Sequence, residues 1–128
     1  MLRRVLCFLL LFSATVANAA EWKQVGESPT VGVLLADMNT VNRTGDTVTV
    51  WLKYPRYKSG ADPRIATALV KAEFYCSAHE FQIFNMLLRD KNDKVLYDMM
   101  DRHGRKGVQT GTVFGSAAEM LCSVAPSR

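Results

Sequence analysis

Once exported, this chain can form one intramolecular disulfide and no other. It has three cysteines, Cys7, Cys76 and Cys122. The first falls inside an N-terminal segment with the layout of a secretory signal. Arg3 and Arg4 form a positive head, residues 5–12 an apolar run, and Ala17-Asn18-Ala19 a small-x-small cleavage site. The run is too short to span a bilayer, so no transmembrane segment is expected. Cys7 follows bulky Leu6 within that run and is no lipid-attachment cysteine. Cleavage after Ala19 divides the chain into a signal, 1–19, and one exported domain, 20–128. Cys76 and Cys122 then remain, and an oxidising compartment lets their bond persist. Closing so long a loop stabilises a small domain by about 4 kcal/mol. No CxxC is present, so the pair reads as a staple rather than a redox centre.

Cys122 lies in the segment 111–125, the only stretch of the exported chain with a helical pattern. Thr112 is placed to cap the helix, its side-chain oxygen accepting from a free first-turn N–H. Phe114, Ala118, Leu121, Cys122 and Ala125 follow on one apolar stripe, and Pro126 ends the run. So short a helix is marginal alone in water and must dock on something.

What it docks on is a sheet. Residues 22–25 open a first strand, 26–29 form a turn, and 31–36 make a buried second strand. Asp37-Met38-Asn39-Thr40 has the side chains of a tight turn. Residues 41–43 and 47–54 flank Thr44-Gly45-Asp46 as a hairpin. In its second arm Val48, Val50, Leu52 and Tyr54 alternate with Thr47, Thr49, Trp51 and Lys53, the cleanest period of two in the chain. After a polar loop at 58–63, residues 65–76 form a long strand whose one face (Ala66, Ala68, Val70, Ala72, Phe74, Cys76) is small and apolar. That face lets a helix approach closely and carries Cys76. Strands at 80–88 and 95–100 follow, joined by a turn at 90–94, and an irregular polar loop, 101–111, leads to the helix. The expected fold is α+β: a meander of about six antiparallel strands with one C-terminal helix tethered by the disulfide.

The charged residues exclude more than they assign. The formal charge is +4, but Arg3 and Arg4 leave with the signal, and the mildly basic remainder does not call for nucleic acid. His79 and Glu80 are adjacent and His103 is distant, so no metal-ligand spacing exists. Asp90-Lys91-Asn92-Asp93-Lys94 lacks the glycine of a calcium loop and reads as a solvated turn. No nucleophile elbow frames a serine, no cofactor motif is present, and a non-enzymatic protein is expected. Met99-Met100 reads as core filler. The densest basic cluster, Arg102, His103, Arg105 and Lys106, is flanked by glycines and reads either as a solvated loop, the default for exposed charge, or as the candidate contact for an anionic partner. Lys53, Tyr54, Arg56, Tyr57 and Lys58 form a second basic-aromatic stretch suited to a binding rim or a guarded strand edge.

Taken in order, Glu21-Trp22-Lys23-Gln24-Val25-Gly26, then the run from Asp37 through Arg43 to Gly45, then the strand from Thr47 to Trp51 resemble the surface-adhesin protein E family. The shared pattern is W-x-x-V, D-x-x-[ST]-[IV]-x-R-x-G and V-x-V-W, followed by a mid-chain cysteine and a second in a C-terminal helix. The resemblance implies an antiparallel sheet with the helix tied to its concave face. It also implies an envelope protein of a Gram-negative cell, in the best-known member an adhesin for host matrix and plasma proteins. The missing lipid-attachment cysteine favours the periplasm over surface display, and the alternative expectation is a periplasmic inhibitor or accessory subunit of an envelope complex. Leu35-Ala36 stands where the family has an aromatic before the aspartate.

Overall fold

The computed structural model describes residues 19–57, 62–101 and 103–124. Residues 1–18 of the expected signal, with Cys7, most of the 58–63 loop, Arg102 and the chain beyond Val124 lie outside the described residues. The elements are β1 (Trp22–Ser28), β2 (Gly32–Asp37), β3 (Asn42–Thr44), β4 (Thr47–Tyr54), β5 (Thr67–Tyr75), β6 (Glu80–Arg89), β7 (Val95–Met100), β8 (Lys106–Gly107) and α1 (Val113–Cys122). All strands join one antiparallel sheet whose path runs β1-β2-β4-β5-β6-β7; β3 pairs with β4 and β8 with β6. The α+β meander read from the sequence is this six-strand path. The two short strands extend it. β2 and β3 meet β4 at successive positions, with Leu35 opposite Lys53 and Asn42 opposite Thr49. Between them the Thr40 hydroxyl accepts from Trp51 N (3.1 Å) and donates to Asp37 O (2.8 Å), so the gap costs no unpaired backbone N–H at Trp51.

The turns are fixed by the side chains that predicted them. Asp37 Oδ1 accepts from Asn39 N (3.1 Å) and Glu21 N (3.0 Å). In the β3–β4 turn Gly45 has φ 59°, a left-handed conformation that favours glycine. Asp46 beside it accepts from Ser77 N and Oγ (2.9 and 2.5 Å), joining this turn to the β5–β6 turn. Those bonds hold its carboxyl below the usual range, the Ser77 hydroxyl contributing most. Asp90 Oδ1 accepts from Asn92 N (2.8 Å) and Lys94 N (3.0 Å), which closes the β6–β7 hairpin.

One face of the sheet carries the core. Val48, Val50, Leu52 and Tyr54 of β4 and Ala68, Val70, Ala72 and Phe74 of β5 are all buried, as the alternation required. Leu34, Ala36, Val25 and Leu88 continue this core, and Ala117 and Leu121 of α1 close it.

The helix sits differently from the stripe read in the sequence. Gly115, Ala117 and Leu121 are fully buried, whereas Phe114, Ala118 and Cys122 are half-buried and Ala125 lies outside the described residues. The reason is a bulge in β1. Register shifts between Gln24 and Gly26, leaving Val25 without an opposite residue. The Ser116 hydroxyl donates to the Val25 carbonyl (2.9 Å), and a Cβ at Gly26 would lie 2.7 Å from Val113 O. The helix therefore packs chiefly on β1, with β5 second. Gly26, read as the start of a turn, is inside a strand, and the turn falls at 29–31.

Three ties fix the helix ends. Thr112 caps the N-terminus, its Oγ1 accepting from Gly115 N at 3.0 Å. Cys76 and Cys122 form the expected disulfide across a sequence separation of 46. Arg43 donates through Nη1 to the carbonyls of Cys122 and Val124, the latter at 2.9 Å, and through Nε to Gly45 O at 3.1 Å. A cation on the last carbonyls suits the negative end of the helix dipole. The arginine of the R-x-G motif thus joins the β3–β4 hairpin to the helix C-terminus.

Candidate binding surface beside the helix

The basic segment before the helix is anchored, not loose. Lys106 and Gly107 form β8, pairing with Phe81 and Glu80 of β6, and Val108 N donates to His79 O at 2.7 Å. The sequence predicts an irregular loop at residues 101–111, and the structure places two strand residues within it. They hold there because the β6 edge offers unpaired backbone groups beyond the end of β7. His103 bonds Asp101 Oδ1 through its backbone N (2.8 Å) and ring Nδ1 (2.6 Å), and these bonds, the backbone one foremost, lower the Asp101 carboxyl.

Arg105 and Lys106 separate. The Arg105 guanidinium lies 3.6 Å from the Tyr75 ring centre. Tyr75 is buried, and its hydroxyl donates to Glu73 Oε2 (2.8 Å) and reaches Gln82 Oε1 (3.3 Å). Burial first, then the bond to Glu73, raises its pKa. Lys106, one residue on, lines a hollow with Phe81, Val113 and Phe114 on the helix side. Strand alternation sends neighbours to opposite faces. Of the predicted cluster, Arg105 and Lys106 therefore lie on different surfaces, while Arg102 lies outside the described residues.

Two clefts flank the first turns of α1. The larger, about 490 Å³, runs past the disulfide and Phe74 and is edged by His79 and the carboxylates of Glu27, Glu80 and Glu119. The smaller, about 400 Å³, has Lys106 as its only charged lining residue among the described residues. Its floor is aromatic: Phe81 and Phe114 stack with centroids 4.7 Å apart, and Phe74 lies 6.2 Å from Phe114. The helix thus separates an acidic cleft from an apolar one with a single cation.

The second basic-aromatic stretch is split by the same alternation. Tyr54 turns into the core, where burial pushes its hydroxyl up to about 12, and its ring meets Tyr57 at 5.6 Å. Lys53 points to the other face, 5.4 Å above the Trp22 ring. Lys58 lies outside the described residues. Met99 and Met100, read as core filler, are instead 43% and 77% exposed, because β7 ends the strand path and nothing described covers it. The sequence held a signal for this: residues 95–100 show no clean period of two, with Asp98 between Leu96 and Met100 on one parity.

Among the described residues, no three His, Cys, Asp or Glu side chains are grouped to hold a metal ion, and no helix is long and apolar enough to cross a membrane. No protein-family model and no curated protein matches this chain.

Proposed function

We propose that this is an exported, non-enzymatic binding module of a Gram-negative envelope, adhesin-like toward host or envelope macromolecules. The observation that carries the reading is the fixed helix. Thr112, Ser116, Arg43 and the disulfide hold α1 at both ends, so the clefts beside it have rigid walls. Concave, preformed surfaces of this kind suit recognition. Two hydroxyls lining the larger cleft, Thr112 and Ser116, are committed to the helix cap and to Val25 O, which favours binding over nucleophilic chemistry. The resemblance to the protein E family supports the same reading, since its motif residues Asp37, Arg43 and Gly45 each hold part of this frame.

A second reading, a periplasmic inhibitor or accessory subunit, draws on the exposed apolar edge at β7, which suits a protein partner better than a soluble small molecule. Immobilised mature protein, exported with its disulfide formed, should be offered extracellular-matrix extract and bacterial envelope extract in parallel. Salt-resistant retention from matrix supports the adhesin. Retention from envelope extract alone supports the accessory role. Retention from neither sinks both.

A further inference from the structure

We infer that the smaller cleft binds a free medium-chain carboxylate, its alkyl chain lying on Phe81 and Phe114 and its head group against Lys106. This site goes beyond the macromolecular recognition proposed above and does not depend on it. The cleft, about 400 Å³, has the size of a small-molecule site. Phe81, Val113 and Phe114 line it, half-buried and packed on the main core, so its floor is held from below. Apolar surface left open to water in this way is stabilised by an apolar cover.

Charge selects the cover. Among the described residues lining the cleft, Lys106 is the one charged group. The described ion pairs are Arg64–Asp62 and His103–Asp101, and Lys106 enters neither. Asp101, whose carboxyl Lys106 helps to lower, is engaged by His103. The Thr112 hydroxyl is committed to the helix cap, donating to Gln109 O (2.6 Å) and accepting from Gly115 N (3.0 Å). An ammonium beside an apolar floor complements a molecule with one negative charge and an apolar body. A compact lysine head balances a single charge, whereas bidentate phosphate recognition calls for an arginine fork. A bounded cleft with one cation fits one free molecule; a bilayer calls for several cations spread along its surface. The rings select the body. Phe114 has Phe81 stacked on it at 4.7 Å and Phe74 at 6.2 Å. The rings occupy one another, and an unbranched alkyl chain, which needs only contact area, suits them better than a further ring that must stack. Across the helix the larger cleft carries Glu27, Glu80 and Glu119 and would repel the same head group, so the assignment is to one cleft.

The test is isothermal titration calorimetry of mature, disulfide-bonded protein with decanoate, hexanoate and decyltrimethylammonium, all below micelle formation. Wild type should bind one decanoate per chain, and hexanoate more weakly by about two- to fourfold for each methylene removed. Decyltrimethylammonium, with the same chain and the opposite head, should bind more weakly than decanoate. Lys106→Ala should weaken decanoate binding about two- to fivefold, and Lys106→Glu should reverse the preference in favour of decyltrimethylammonium. Arg105→Ala, whose guanidinium lies on Tyr75 away from the cleft, should bind decanoate as wild type does. Absence of saturable decanoate binding by wild type overturns the proposal. So does equal binding of the two ten-carbon probes, or a loss in Arg105→Ala that matches Lys106→Ala. If phosphatidylglycerol vesicles strip decanoate from the protein, the cleft takes bilayer lipid and the free carboxylate is the wrong ligand.

Discussion

The two edges of this sheet are finished in opposite ways. At β1 a bulge frees the Val25 carbonyl for Ser116, Gly26 admits the helix backbone, and Val25 is 2% exposed. At β7 the strand is regular where it matters and its side chains stand open, Met100 at 77%. The same local need, an unpaired strand edge, is met at one end by a covalently held helix and at the other by no described strand or helix. A domain of this size has one modest core, and the single helix among the described residues can close only one edge. The difference locates the internal framework at β1 and the outward-looking surface at β6–β8.

The largest expected effect comes from releasing the helix. Cys76→Ser with Cys122→Ser should lower unfolding free energy by about 2–5 kcal/mol, read from urea denaturation. It should also make the β1 edge resemble the β7 edge, so that the variant aggregates at concentrations where wild type does not. Natively exported wild type should show no free thiol. Two titratable thiols would refute the tether.

A smaller effect compares one substitution at both edges. Gly26→Ala puts a methyl 2.7 Å from Val113 O, backbone that cannot swing aside. Overpacking of this kind costs about 1–3 kcal/mol. Gly107→Ala in β8 meets nothing within 4 Å and should be neutral or stabilising by about 0.4–1 kcal/mol, through the unfolded chain. Equal costs at the two sites would mean that the edges are not differently packed.

The sequence showed this contrast only in part, for physical reasons. Strong alternation in residues 47–54 and 65–76 located the central strands, because burying one face leaves a period of two. The surviving cysteines and the Thr112 cap located the helix. Gly26 was misread since a glycine that permits a turn and one that permits close packing look alike without the partner in view. β8 left no pattern: Lys106 and Gly107 are strand only because Phe81 and Glu80 offer backbone groups beside them. Arg43 was visible in its motif, but its bonds reach carbonyls some eighty residues away. The candidate cluster at 102–106 was legible as charge, and the separation of Arg105 from Lys106 was not, since that follows from a strand the sequence did not reveal.

The open edge also has an acid-sensitive tie. The Tyr97 hydroxyl donates to Asp62 Oδ2 at 2.9 Å, and Arg64 grips the same carboxylate at 2.8 Å. The Arg64 side chain first, then its backbone N–H and Tyr97, hold Asp62 well below the usual carboxylate range. A folded pKa below the unfolded one gives stability that is present above about pH 4 and lost as pH falls through the folded value. Melting temperature should therefore decline below pH 4, and Asp62→Asn should flatten part of that decline. The effect is small because the Arg64 side chain is 66% exposed and solvent screens the pair. An unchanged acid limb in the variant would remove Asp62 from the account.

The smallest effects on stability concern Arg105 and Lys106, and their value lies in the faces they occupy. Arg105→Ala loses its stacking on Tyr75 and should cost about 0.5–1 kcal/mol; Lys106→Ala, at an exposed strand position, should cost less than about 0.5 kcal/mol. Binding should separate them more sharply. A planar anionic bilayer touches one face of a sheet at a time, so only one of these cations can meet it in a given pose. Retention on anionic vesicles should then fall in one single variant by as much as in the double variant, while the other single variant matches wild type. The loss should shrink with salt as the Debye length drops below about 10 Å. If both single variants lose equally and their losses add, the two cations act on one surface and the division across β8 is wrong. If neither loses retention, the vesicle contact lies elsewhere, and the acidic cleft on the far side of the helix would then be tested with a cationic probe by the same comparison.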